Sequence, residues 1–134
     1  MNRAFRIRMG QPEMESFWMD LLARKRLEKL NRDEDKFFTR LVKALDFLSL
    51  NPRHNSLSTH EISDLSRKYG MKIFQSYLEN HTPRAGRIFW AYGHDVGDIT
   101  ILAIEPYPED KRGAYERIQL SAMPRTAIPS KKKR

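Results

Sequence analysis

The sequence predicts a single α+β domain in which a helical hairpin packs on one face of a small antiparallel sheet. Apolar residues recur at helical spacing in the first half of the chain. Short alternating runs rich in isoleucine and aromatic residues follow in the second half. The length of 134 residues suits one domain. We therefore expect two helices from the start of the chain to cover a meander of strands from its end.

The first half of the chain contains the strand and the two helices. Apolar and basic residues alternate over residues 4–9, which predicts a short strand. Helical spacing follows from Met14 until Asn31, and Asp33 is expected to cap the next helix. That helix carries one apolar stripe and ends before Pro52; the stripe consists of Phe38, Leu41, Val42, Leu45 and Leu48.

The second half of the chain changes to the period of strands. Residues 52–70 are predicted to form a polar loop. Strands are predicted over residues 71–78, 87–92 and 99–104, because each run alternates and turn-forming residues separate them. A short final helix is expected over residues 109–120. The aromatic residues of both halves are expected in the core; these are Trp18, Phe37, Phe38, Phe89 and Trp90.

Composition and charge limit the classes of function. The net charge is +8, and segment 125–134 holds five basic residues and no acidic one, so we expect a domain at 1–124 followed by a disordered basic tail. This excess favours a nucleic-acid partner. The absence of cysteine excludes disulfides, a thiol nucleophile and thiolate metal ligands. No apolar run approaches the length of a membrane span and no signal peptide is recognised, so we expect a cytoplasmic protein without a membrane partner.

Several segments, in a characteristic order, carry a resemblance to a known family. They are the end of the hairpin at Asn51-Pro52-Arg53-His54, the loop Ser58-Thr59-His60-Glu61, the strand Ile73-Phe74-Gln75-Ser76-Tyr77, the arginine-led strand Arg87-Ile88-Phe89-Trp90-Ala91-Tyr92-Gly93, the strand at 99–104, the motif Pro106-Tyr107-Pro108, and Tyr115. The resemblance as a whole covers roughly residues 5–120. In this order and spacing the chain resembles the RelE/ParE superfamily of bacterial toxins.

The resemblance implies a fold and an activity. The implied fold is RelE-like, with the order β-α-α-β-β-β-(α). RelE-like toxins of type II toxin–antitoxin systems enter the ribosomal A site and cut mRNA without a metal or another cofactor. Their partners are mRNA, ribosomal RNA and an antitoxin that holds them inactive. ParE-like toxins instead inhibit DNA gyrase and have no nuclease activity, and the fold does not choose between the two. A third alternative is a member that has lost catalysis and only binds RNA or an antitoxin.

Arg87 is the first candidate for the chemistry of RNA cleavage. Metal-free cleavage requires a base for the 2′-hydroxyl, a fixed cation for the charge that grows on the phosphate, and a proton for the leaving 5′-oxygen. Arg87 begins a strand and shares a face with Phe89 and Ala91, where its planar guanidinium can clamp a phosphate. The resemblance matches it to the arginine-led strand of the family.

Three further residues are candidates for proton transfer. The resemblance implies a catalytic glutamate in the loop, which is Glu61 here, and His60 beside it is a base, an acid or a phosphate partner. Family members often carry a histidine or a tyrosine in the C-terminal region. This chain has only Tyr107, as a proton donor or a stacking platform, which leaves the general acid undecided.

The remaining candidates would follow the RNA backbone. We expect the open side of the sheet to gather positive groups there, contributed by Arg53, His54, Lys68, Lys72 and Arg84. The spacing of the histidines matches no metal motif, so no metal site is predicted.

Overall fold

A computed structural model describes residues 4–79, 86–105 and 120–123 of the chain. In these residues the fold is α+β, with three α-helices and one five-stranded sheet. The elements in chain order are β1 (Arg6–Met9), α1 (Glu13–Arg26), α2 (Arg32–Leu50), a 3-10 turn (Asn55–Leu57), β2 (His60–Glu61), α3 (Ser63–Tyr69), β3 (Phe74–Tyr77), β4 (Arg87–Tyr92) and β5 (Asp98–Glu105).

The sheet is mixed, so the prediction of a purely antiparallel sheet is wrong. The strand order is β1-β5-β4-β3-β2. β1 runs parallel to β5, whereas the other neighbours are antiparallel. The alternation over residues 4–9 correctly indicates a strand, but such a pattern carries no information about the direction of the neighbouring strand.

A buried carboxylate joins β1 to β5. The side chain of Asp98 is fully buried and accepts hydrogen bonds from Arg6 Nε at 2.7 Å and from Arg8 Nη1 at 3.1 Å. The backbone nitrogen of Asp95 is a third donor, at 3.3 Å. A buried carboxylate with several charge-assisted donors is stabilised where it lies. Asp98 therefore links the edge strand to the sheet.

The helical hairpin packs on one face of the sheet, as the sequence predicts. Leu41, Leu45 and Leu48 of the α2 stripe are buried there together with Leu21 of α1, and Phe38 packs against them partly buried. The sheet contributes Phe74, Ile88, Trp90, Ile99 and Ile101 to the same cluster. The predicted core aromatics lie in this cluster or at its border, with the exception of Phe89.

The face of the sheet away from the hairpin is less open than expected. Phe89 and Ala91 alternate with Trp90 and are buried in a second apolar cluster. Ile62 and Leu65, at the start of α3, pack in that cluster. The expectation of an open face is therefore wrong where this apolar cluster lies. Polar side chains lie around the cluster on the same face: His60 on β2, Gln75 on β3, Arg87 on β4, Asp98 and Thr100 on β5, and Arg6 and Arg8 on β1.

A β-bulge changes the alternation of β5. Phe89 lies opposite Ala103, whereas Trp90 lies opposite Ile101, so Leu102 is an extra residue between them. Beyond the bulge, Ile104 packs on the hairpin side. The neighbouring residue, Glu105, comes to lie beside Arg87.

The polar loop predicted over residues 52–70 contains regular structure. The 3-10 turn, β2 and α3 all lie within it. These elements are short and mostly polar on the surface, so neither strand nor helix periodicity is visible over enough residues. The prediction of one polar loop over residues 52–70 is therefore wrong.

Residues 120–123 pack against the start of α1. Ala122 forms a β-bridge with Gln11. The Ser121 hydroxyl accepts a hydrogen bond from the backbone nitrogen of Met14 at 3.1 Å. The N-cap residue of α1, Pro12, makes no capping hydrogen bond with its side chain, so Ser121 caps this helix from a distant part of the chain. A Cβ atom on Gly10 would lie 2.6 Å from Ser121 Cβ, so the close approach requires glycine.

Two sequence predictions fall on residues outside the described ranges. They are the final helix at 109–120, apart from Leu120, and the basic tail at 125–134. None of the helices in the described part of the chain is long and apolar enough to cross a membrane.

Replacing Asp98 with asparagine is expected to reduce the free energy of unfolding by about 1–3 kcal/mol. The oxygen of the asparagine amide still accepts a hydrogen bond from Arg6. The amide nitrogen is itself a donor and then faces the guanidinium of Arg8, which also only donates. Urea denaturation monitored by circular dichroism measures the change. Asp95→Asn is the matched control, because its exposed side chain lies in the adjacent turn. Equal stability of the two variants would contradict the role of Asp98.

A capping box begins α2 and makes stability depend on pH. Asn31 caps the helix, rather than the expected Asp33, and its side chain accepts from the Glu34 backbone. The hydrogen bond from the Asn31 backbone, and then that from Arg24, hold the pKa of Glu34 below its usual value of 4.5. A lowered carboxylate pKa adds stability that is present above pH 4.5 and is lost as the pH falls through the lowered pKa.

Glu34→Gln is expected to be less thermostable than the wild type at neutral pH, with a difference that shrinks on acidification below pH 4.5. Glutamine retains an oxygen for the Asn31 backbone but has no charge for Arg24. The difference in Tm between the two proteins is measured at each pH, because the contribution of the other carboxylates is the same in both proteins and drops out of the difference. A difference that is independent of pH would contradict the assignment.

Candidate functional site

Arg87 begins β4 and points away from the helical hairpin. Its neighbours in the sheet are Tyr77 of β3 and Glu105 of β5. Ile88, the next residue, is buried under the hairpin, so Arg87 lies on the opposite face, as expected from the alternation. Its guanidinium carbon lies 5.6 Å from the ring centre of Phe89. Only 7% of the residue is exposed, so protein atoms hold this cation in place.

A row of side chains crosses from β4 to β2 on this face. Arg87 Nη1 donates to Gln75 Oε1 at 3.0 Å. The other end of the amide, Gln75 Nε2, lies 3.4 Å from His60 Nε2. Gln75 and His60 are directly opposite in the pairing of β3 with β2. His60 Nδ1 lies 3.2 Å from the carbonyl oxygen of Ser58. We refer to Arg87, Gln75, His60 and Ser58 as the Arg87 line.

A second row of polar side chains crosses the sheet on the hairpin side. Trp90 Nε1 donates to Ser76 Oγ at 2.8 Å, and Ser76 Oγ lies 2.6 Å from Thr59 Oγ1. Thr59 donates to the carbonyl oxygen of Pro52 at 2.7 Å. Since the Thr59 hydrogen is used for Pro52, Ser76 donates to Thr59. This Trp90 line attaches the segment before β2 to the sheet and so positions the neighbouring His60.

Glu61 lies on the other side of the sheet from His60. β2 pairs Glu61 with Phe74, whose ring is buried under the hairpin. Directly opposite residues in an antiparallel pair face the same side. Glu61 is exposed at that edge. The structure therefore brings His60 into one row with Arg87 and directs Glu61 to the opposite face.

The phosphate-binding candidates are spread over several surfaces. The Arg53 guanidinium carbon lies 5.2 Å from the ring centre of Phe74, on the hairpin side. The His54 ring stacks on Phe47 at 4.3 Å, and its Nδ1 accepts from the Ser56 backbone at 3.0 Å. These contacts make His54 part of the turn after α2.

The other candidates include two exposed lysines. Lys68 lies on α3, with its ammonium 5.4 Å from the ring centre of Tyr69, and Lys72 is exposed before β3. Tyr107 and Arg84 fall outside the described residues. Within the described ranges, no group of three or more histidine, cysteine or acidic side chains is arranged to hold a metal ion.

Gln75 is a site residue that the sequence analysis missed. It is 1% exposed and lies in the middle of a strand that is otherwise apolar on this face. A buried amide must find partners inside the protein, so a glutamine within a buried strand is itself a signal of a polar network. The alternation of residues 73–77 places Gln75 on the same face as Ile73 and Tyr77, and the register then sets it opposite Phe89, two residues from Arg87.

Comparisons of the chain with protein-family models, with curated proteins and with solved structures find no match in any of the three.

Proposed function

We propose that this chain is an endoribonuclease that cuts mRNA on the ribosome without a metal ion, as the toxin of a type II toxin–antitoxin pair. One observation carries the proposal. The Arg87 line joins a sheet-held guanidinium to an imidazole on the same face, through the amide of Gln75. Metal-free RNA cleavage requires at least a fixed cation near the phosphate and a group that transfers a proton. The resemblance to RelE-like toxins supplies the substrate and the antitoxin as partner.

Each end of the Arg87 line has a role in the proposed reaction. The guanidinium of Arg87 stabilises the negative charge that develops on the phosphate. Because the sheet holds it, little reorganisation is needed when that charge appears. His60 is exposed and transfers a proton at the RNA sugar or at the leaving oxygen. The net charge of +8 supports binding to mRNA and ribosomal RNA.

The burial of Arg87 favours a second candidate function. A residue that is 7% exposed and hydrogen-bonded to Gln75 also suits a purely structural role. In that case the chain binds RNA or an antitoxin without cutting RNA. The ParE-like alternative, inhibition of DNA gyrase, is separated by assay: it predicts intact mRNA and loss of DNA supercoiling activity.

Arg87→Ala is expected to lower the rate of mRNA cleavage about 10²–10³-fold, the usual loss when one donor to a transition-state oxyanion is removed. Induced expression followed by mapping of mRNA 5′ ends at ribosomal A sites measures this rate. Arg40→Ala is the matched control, because it removes an arginine paired with Glu79 on the surface of α2. Both variants must fold by circular dichroism. Full toxicity of Arg87→Ala would reject the assignment.

His60→Asn is expected to reduce cleavage on programmed ribosomes about 10²-fold or more, whereas Glu61→Gln changes it less than about tenfold. The pairing of β2 directs only His60 towards Arg87. Rates of cleavage of a defined mRNA compare the two variants directly. The opposite order of effects would assign proton transfer to Glu61.

A further inference from the structure

We propose that Gln75 is a positioning residue that fixes His60 as the general base, acting through Nε2. This inference rests on the proposed function and deepens it, since the residues alone leave His60 as a base, an acid or a phosphate partner. It follows from the donors and acceptors that face one another along the Arg87 line.

The guanidinium of Arg87 determines the orientation of the Gln75 amide. A guanidinium only donates, so the amide must turn its oxygen towards Arg87 Nη1, at 3.0 Å. The amide nitrogen then faces His60 Nε2, at 3.4 Å. Reversing the amide would bring two donors together at Arg87. Because Gln75 is 1% exposed, bulk water does not compensate for that loss.

The two neighbours of the His60 ring determine which nitrogen carries the hydrogen. The Ser58 carbonyl oxygen only accepts, so Nδ1, at 3.2 Å, must donate to it. The Gln75 amide nitrogen only donates, so Nε2 must accept from it. His60 is therefore the Nδ1–H tautomer, with a lone pair on Nε2 on the same face as Arg87.

This tautomer assigns the direction of proton transfer. The distance of 3.4 Å is long for a hydrogen bond, so a substrate hydroxyl can replace the amide at Nε2. The proton of the RNA 2′-hydroxyl moves to Nε2 and the 2′-oxygen bonds to the adjacent phosphorus. The bond from phosphorus to the 5′-oxygen breaks, and the 5′-oxygen takes a proton from water. The products are a 2′,3′-cyclic phosphate and a 5′-hydroxyl, and His60 returns its proton to the hydroxide.

The first test reads the tautomer itself. A two-bond ¹H–¹⁵N correlation spectrum of the labelled full chain is expected to show His60 as Nδ1–H. Gln75→Glu is expected to place a hydrogen on both ring nitrogens. The carboxylate still accepts from Arg87 but offers His60 only acceptors, so the ring donates through Nε2 while Nδ1 still donates to the Ser58 carbonyl oxygen. The wild-type spectrum decides the orientation even where a variant does not fold, and an Nε2–H tautomer in the wild type would overturn the inference.

The second test measures cleavage of a defined mRNA on programmed ribosomes. Gln75→Glu is expected to cut about 10–100-fold more slowly than the wild type, less than the roughly 10²–10⁴-fold that an acid–base group itself contributes, because the imidazole stays in place. Thr100→Val is the matched control, since Thr100 is a buried polar residue of β5 whose hydroxyl donates to the carbonyl oxygen of Gly93, outside both polar lines. It is expected to lose thermal stability while keeping the His60 tautomer and the cleavage rate.

The outcomes separate this inference from the proposed function. A wild-type chain that cleaves mRNA, with Gln75→Glu equally active, overturns the role of Gln75 and leaves the proposed function standing. A wild-type chain that cleaves no mRNA defeats the proposed function and the base assignment with it, whatever the tautomer.

Discussion

Strands β3 and β4 are buried on both faces except at their last residues, so the polar side chains buried within them must find partners in the protein rather than in water. Two polar lines satisfy this constraint. Ser76 accepts a hydrogen bond from Trp90 under the hairpin, and Gln75 accepts one from Arg87 on the other face. Both lines end in the segment before or within β2. The same requirement that stabilises the core therefore also positions the imidazole of His60 on the face of Arg87.

Much of the fold was accessible from local sequence patterns. The apolar stripe of α2 and the run at 87–92 predict their elements correctly, because each spans enough residues to show its period. The parallel direction of β1 could not be predicted, since the alternation of one strand does not indicate which strand lies beside it. The bulge at Leu102 was hidden as well, because its flanking residues are all apolar. The elements at 55–69 are too short for a period to appear.

The candidate site was only partly predictable for a related reason. Alternation within one strand correctly places Arg87 with Phe89 and away from Trp90. His60 and Glu61 are adjacent in sequence, and only the register of β2 against β3 shows that they face opposite sides. Gln75 was not among the predicted site residues, because glutamine is seldom a reactive group. It is nevertheless buried and contacts both Arg87 and His60.

The parallel pairing of β1 with β5 has a consequence for the newly made chain. Arg6 and Asp98 are separated by 92 positions, and the bond from Met14 to Ser121 spans 107. At a synthesis rate of about 5–20 residues per second, the first strand waits several seconds for its partner. β1 therefore cannot take its place at the edge of the sheet until β5 has been translated. A nascent copy carries an unpaired first strand while the helices and the three strands in between are synthesised.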